Sequence, residues 1–175
     1  MATSIAEKFA HQMRGSGMRV AVAESLTCGA LASEIGAAGD TSEWFVGGVI
    51  AYSNDVKFGV LGVKKGPVVT RECAAQMAEG VVRLTAADVG IAVTGVGGPG
   101  AEEGHPAGTV FLAVTVNGDT TVEQRHFPGT PEQVLAATSA AAIAMALHLV
   151  APQPVADKAT RDMPSYYMID QPVVS

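Results

Sequence analysis

The chain has 175 residues, 48% apolar and 16% charged, with 11 basic against 17 acidic residues and a formal charge of −6. That is one domain's worth of chain, with enough apolar surface to build a core and exclude bulk disorder. No unbroken apolar run reaches the roughly eighteen residues of a membrane span. The N-terminus, with Glu7 and Lys8, has no signal-peptide pattern, so a soluble cytoplasmic protein is expected. No basic cluster is denser than Lys64-Lys65, which argues against direct binding to nucleic-acid phosphates.

Ser4 and Glu7 have capping-box spacing, and Ile5, Phe9 and Met13 share one helical face; a helix is predicted to about Arg14, ended by Gly15 and Gly17. Residues 19–23 read as a buried strand. Glu24-Ser25-Leu26-Thr27 and the alanine-rich segment to Ala38 then read as turn and helix. Residues 45–51 form a second apolar run, after which Tyr52-Ser53-Asn54-Asp55 caps a short helix carrying Lys57. Thr70 and Glu72 open a stronger helix with Ala74, Met77, Ala78, Val81 and Val82 on one face, and residues 89–93 are a third strand running into Thr94 and a glycine loop. From Gly108 the period becomes two through Val110, Leu112, Val114 and Val116; Asn117-Gly118 is a hairpin signal and residues 120–127 return. Thr130, Pro131 and Gln133 start a long helix with Val134, Leu135, Thr138, Ala142, Met145 and Leu149. Three strand–helix units followed by a hairpin predict an α/β domain over residues 1–150, its sheet mostly parallel with an antiparallel hairpin. Residues 151–175 read as a tail. Pro152, Pro154, Pro164 and Pro172 break helix there, while Tyr166, Tyr167, Met168 and Ile169 suggest docking on this domain or a neighbour.

Ligands of open α/β sheets sit beyond the carboxyl ends of the strands. Hydroxyls stand at three such ends: Ser25 and Thr27, Tyr52 and Ser53, and Thr94. Ser25, Thr27 and Ser53 each also read as N-caps, and their convergence is what favours a site. An alkoxide nucleophile needs a base. None of His11, His105, His126 and His148 has an acidic neighbour in a triad pattern; Lys57 is the other candidate, provided burial frees its lone pair. Gly95-Val96-Gly97-Gly98-Pro99-Gly100 satisfies GxGxxG, yet Pro99 and residues 101–106 cannot open the helix that would hold a pyrophosphate. What remains is a backbone-rich loop able to approach a ligand closely and donate amides. Cys28 and Cys73 share no metal or redox spacing; Cys28 is expected to be a buried, inert thiol. Glu24 either positions the base or pairs a helix terminus.

Four ordered motifs, Ala23-Glu24-Ser25-Leu26-Thr27-Cys28-Gly29, residues 48–57, residues 93–100 and Pro106-Ala107-Gly108-Thr109-Val110, resemble the C-terminal domain of competence/damage-inducible CinA proteins. Stand-alone members of that family are nicotinamide-nucleotide amidohydrolases. The resemblance implies a three-layer α/β/α sandwich that converts nicotinamide mononucleotide to nicotinate mononucleotide and ammonia, with no metal or cofactor. It also implies Ser25 as nucleophile, Lys57 as general base, and Tyr52 and Thr94 lining the site. Amides around Thr27 and Gly29, or in the loop of Gly95 and Gly97, are the candidate donors to the oxyanion. Three departures stand out: Thr130-Pro131 and Val134-Leu135 replace the family's Asp-Arg and Val-Arg, Cys28-Gly29 replaces Gly-Gly, and His105 replaces a lysine. The alternative reading is a catalytically silent nucleotide- or partner-binding member of the same fold, linked to competence or DNA damage. A homodimer is the expected assembly, since small α/β domains with a hairpin edge often associate.

Overall fold

Residues 3–150 are described by a computed structural model; the tail expected from residue 151 onward lies outside the described residues. The elements are α1 (Ile5–Ser16), β1 (Val20–Glu24), α2 (Ala30–Gly36), β2 (Phe45–Ile50), α3 (Asn54–Gly59), α4 (Arg71–Thr85), β3 (Val89–Gly95), β4 (Thr109–Val116), β5 (Asp119–His126) and α5 (Pro131–Leu149). The cap chemistry read from the sequence sets the helix starts. Ser4 Oγ accepts from Glu7 N at 3.1 Å, Thr70 Oγ1 from Cys73 N at 3.0 Å, and Thr130 with Gln133 closes a complete capping box. Glu7 does not close the box of α1; its carboxylate takes the Gly39 amide at 3.2 Å and ties α1 to the segment after α2.

The strands form one mixed sheet in the order β2-β1-β3-β4-β5. β1 pairs in parallel with β2 and β3, while β3–β4 and β4–β5 are antiparallel. Helices α1, α2 and α5 cover one face, with Phe9, Leu31, Ile91, Leu112 and Ile143 in a common core. Helix α4 covers the other face, where Met77, Val81, Leu61, Ala92 and Phe111 form a second core. This is the three-layer sandwich. Two strands differ from their sequence reading for the same reason, the number of covered faces. β4 alternates in sequence but is buried almost throughout, because its odd and even positions enter different cores. β2, an unbroken apolar run, is an edge strand whose alternate residues Val46, Gly48 and Ile50 are exposed.

Helix α5, 19 residues with mean hydropathy 1.3, is by length and composition apolar enough to cross a membrane. Its apolar residues are interrupted by Glu132, Gln133 and His148, so it holds no unbroken apolar run of that length. Here Val134, Thr138, Ala142, Ile143 and Ala146 are buried against α1, α2, β3 and β4, as in the core helix of a sandwich. On the opposite face, α4 lies so close to the segment after α3 that a Cβ at Gly80 would collide with the Leu61 carbonyl. That close approach packs the segment just after α3 onto α4.

Candidate active site

The carboxyl ends of β1, β2 and β3 open on a cavity of about 730 Å³, lined in part by Ser25, Tyr52, Lys57, Thr94, Gly95 and Gly97. Six of the eight residues singled out for substrate and catalysis therefore share one space. Ser25 follows β1 directly; its amide donates to Val93 O at 3.0 Å, and its carbonyl accepts from Cys28 N at 3.1 Å, so sheet and turn together fix its backbone. The residue is 8% exposed, and its Oγ has no hydrogen-bond partner among the described residues.

Lys57 lies in the last turn of α3, whose start is capped by Ser53. It is 2% exposed, and its Nζ donates to Tyr52 O at 3.1 Å. No carboxylate is ion-paired with it among the described residues. Burial pushes its pKa below the ordinary lysine value; charge at Cys73, Glu102 and Glu103 opposes that shift without cancelling it. A buried amine with a lowered pKa is what a lysine base requires. Tyr52 stands on the rim, 67% exposed. Thr94 is buried and spends its hydroxyl on the segment between α3 and α4, donating to Val68 O at 2.9 Å. It therefore shapes the wall.

Thr27 and Gly29 lie outside the cavity lining. Both serve Glu24, whose fully buried carboxylate accepts from Thr27 Oγ1 at 2.6 Å, Gly29 N at 2.9 Å, Leu31 N at 3.2 Å and Ala32 N at 2.8 Å. Of its two readings, Glu24 takes the second and satisfies the orphan amides that open α2. The Gly29 amide is thus committed, whereas the Leu26 and Thr27 amides have no acceptor among the described residues.

The expectation for Cys28 is corrected: its side chain is exposed and borders the cavity. Helix α2 begins only at Ala30, leaving residues 25–29 as a turn in which Cys28 takes a left-handed backbone, φ +48°. A glycine is at ease there and a cysteine is strained. Two further walls complete the site, the first at the α5 positions where the sequence departs from the family's arginines. Pro131 and Leu135 of α5 form one wall, Val68 and Val69 another, and Glu103 fastens the second. Among the described residues no group of three or more His, Cys, Asp or Glu side chains could hold a metal ion.

Ser25 after β1, Lys57 after β2 and the glycine loop after β3 thus border one cavity. Residues 2–150 match the family model of the CinA C-terminal domain. The chain belongs to the CinA C-terminal domain family. It is 41% identical over 133 residues to a putative competence-damage inducible protein of Bacillus subtilis (strain 168), which covers 73% of this chain and 32% of that protein. The chain thus spans about a third of the length of that relative. Protein YdeJ of Escherichia coli (strain K12) is 39% identical over 139 residues, 76% of this chain and 81% of that protein. Among solved structures, the CinA superfamily protein of Klebsiella pneumoniae 700603 superposes with TM-score 0.81 at 32% identity, over 83% of this chain and 95% of that one. An Escherichia coli CinA superfamily protein gives TM-score 0.80 at 36% identity, over 83% and 88%. CinA membership accounts for the layer order and the placement of the motifs at strand ends.

Proposed function

We propose that this chain is a metal-independent amidohydrolase in which Ser25 attacks a carboxamide and Lys57 is the general base. The observation that carries this reading is a serine hydroxyl with no hydrogen-bond partner and a buried lysine amine with no ion pair, both among the described residues, facing one cavity. Lys57 Nζ takes the proton of Ser25 Oγ as the oxygen bonds to the carbonyl carbon. The tetrahedral oxyanion is met by backbone amides, those of Leu26 and Thr27 or of the Gly97 loop. The lysine ammonium returns the proton to the departing nitrogen, the C–N bond breaks, and ammonia leaves. Water, deprotonated by the same amine, then cleaves the acyl ester to carboxylate and free Ser25. The family resemblance supplies the substrate, the carboxamide of nicotinamide mononucleotide.

A second reading, the same chemistry on an amide without a phosphate, is favoured by the α5 wall. Pro131 has no N–H, Thr130 and Gln133 satisfy each other, and the exposed Glu132 carboxylate takes its own amide and Thr130, which holds its pKa below the usual value. Among the described residues lining the cavity, Lys57 is the one cation and Glu102 stands against it. A phosphate dianion finds no arginine here.

The test is ammonia release from nicotinamide mononucleotide and from nicotinamide riboside by the purified protein, beside Ser25→Ala. Turnover that falls by about three orders of magnitude or more in Ser25→Ala supports the mechanism. Preference between the two compounds decides between the readings. A folded protein that releases ammonia from neither, or a Ser25→Ala variant as active as the parent, overturns the nucleophile assignment and favours the catalytically silent alternative.

A further inference from the structure

We propose that Glu103 is a positioning residue for this site: its carboxylate holds the segment of residues 64–70 in place as the wall beside Lys57. The inference rests on the Ser25–Lys57 reading for its consequence, and on geometry alone for the clamp itself. Glu103 Oε1 and Oε2 accept from Val68 N at 3.0 and 2.9 Å, and Oε2 accepts from Val69 N at 2.7 Å. From the opposite side Thr94 Oγ1 donates to Val68 O at 2.9 Å. Both peptide polarities of one short stretch are therefore held by side chains from distant parts of the chain, 34–35 residues away for Glu103 and 26 for Thr94. Segment 64–70 has no helix or strand of its own to satisfy these groups.

The clamp sits where the turn geometry aims it. Glu102 and His105 exchange backbone hydrogen bonds at 3.0 and 2.9 Å, and the two residues between them, Glu103 and Gly104, both have positive φ, +49° and +78°. Glycine takes that conformation freely, whereas a glutamate there is strained. Two charge-assisted donors on the neighbouring segment, the Val68 N–H shared between both oxygens and the Val69 N–H, offset that strain. Val68 and Val69 are 5% and 2% exposed and line the same cavity as Lys57, and Val63 N donates to Lys57 O at 3.0 Å, so the segment is anchored at its start to α3. With that wall in place Lys57 is shielded from water. If the wall is loosened, water reaches the amine and favours its protonated form.

Glu103 also acts on Lys57 as a charge, in the opposite sense. The charged and titratable groups facing the amine are Cys73 on α4 and Glu102 and Glu103 on the loop, and all three favour the ammonium. Removing a carboxylate for its charge alone lowers the pKa of Lys57; removing a clamp raises it. The two roles are separated by comparing Glu103→Ala with Glu103→Gln, since both remove the charge and only the second keeps an acceptor oxygen.

The experiment is amide hydrogen exchange together with an NMR titration of Lys57 in the wild type, Glu103→Ala and Glu103→Gln. Loss of the clamp predicts exchange at Val68 and Val69 faster by about tenfold or more in Glu103→Ala. Amides of β4 and α5 keep their protection, and the Lys57 midpoint lies higher, nearer the ordinary lysine value, in Glu103→Ala than in Glu103→Gln. Glu103→Gln, with one acceptor oxygen left, retains part of the protection, and it carries the measurement should Glu103→Ala fail to fold. Unchanged protection at Val68 and Val69 overturns the clamp. A Lys57 midpoint no higher in Glu103→Ala than in Glu103→Gln overturns its link to the site and leaves Glu103 as a loop fastening or a charge. These readouts need no turnover, so failure of the amidohydrolase reading is seen separately, as absent ammonia release. Where turnover is present, the acid limb of kcat/KM lies at higher pH in Glu103→Ala than in Glu103→Gln, along with Lys57.

Discussion

Replacing Glu24 by alanine is the sharpest test of how β1 delivers Ser25. The carboxylate is fully buried and accepts four hydrogen bonds, three of them from the amides of Gly29, Leu31 and Ala32 and one from the Thr27 hydroxyl. Hydrogen bonds to a charged group contribute about 1.5–3 kcal/mol each, but the bonds to one carboxylate are not additive and water recovers part of the loss. Loss of a helix cap alone costs about 1–2 kcal/mol. With further donors left buried, Glu24→Ala should cost about 3–5 kcal/mol, a large fraction of the 5–15 kcal/mol typical of a domain. The assay is urea denaturation followed by far-UV circular dichroism at pH 7. The midpoint should fall with an unchanged m-value, and the melting temperature should drop by about 10 °C. Glu24→Gln, which keeps one acceptor oxygen but turns two N–H groups toward existing donors, should lose about half as much. A Glu24→Ala protein within about 0.5 kcal/mol of the wild type would refute the view that this carboxylate, rather than packing, holds residues 25–29 and the start of α2.

Three other outcomes follow from the site. Because burial holds Lys57 below its value in the unfolded chain, the unfolded state binds more protons between that lowered midpoint and 10.5, so stability rises with pH in that window. Lys57→Met should abolish this rise on the alkaline side, below pH 10.5, along with any amide hydrolysis; an unchanged pH slope in urea midpoints there would count against a buried, titrating amine. The two thiols should separate sharply at pH 8: Cys28 is exposed and reacts at once with a disulfide reagent, whereas Cys73, buried and pushed up to about 11, should react about a hundredfold or more slowly until the protein unfolds. Simultaneous reaction of both in the folded protein would contradict the packing of α4. Cys28→Gly should stabilise the protein by about 0.5–1 kcal/mol, the left-handed strain relieved less the added chain entropy, and a destabilised variant would mean that the thiol makes contacts offsetting φ +48°.

Local chemistry was readable wherever a short run of sequence carries its own physical cause. The caps at Ser4, Thr70 and Thr130, the Asn117-Gly118 turn and the two-residue period of β4 are such cases, and each stands where it was expected. So is the placement of Ser25, Tyr52 and Thr94 at strand ends, since a strand's carboxyl end is fixed by where its apolar run stops. Burial was less readable, because it depends on how many faces of an element are covered. β2 and β4 exchanged characters once one became an edge and the other lay between two helix layers.

Function divides in the same way. The sequence by itself determined the α/β class, the hydroxyls at three strand ends and a lysine one turn into α3, because these follow from periodicity and capping within about ten residues. Only the tertiary structure decided that Lys57 is buried with no ion pair among the described residues, that Glu24 is taken up by the start of α2, that Cys28 is exposed, and that Glu103 reaches Val68 and Val69 across 34–35 residues. A pKa and a cavity wall belong to whatever surrounds a group in space, and no pattern along the chain records which distant residue will supply the hydrogen bond.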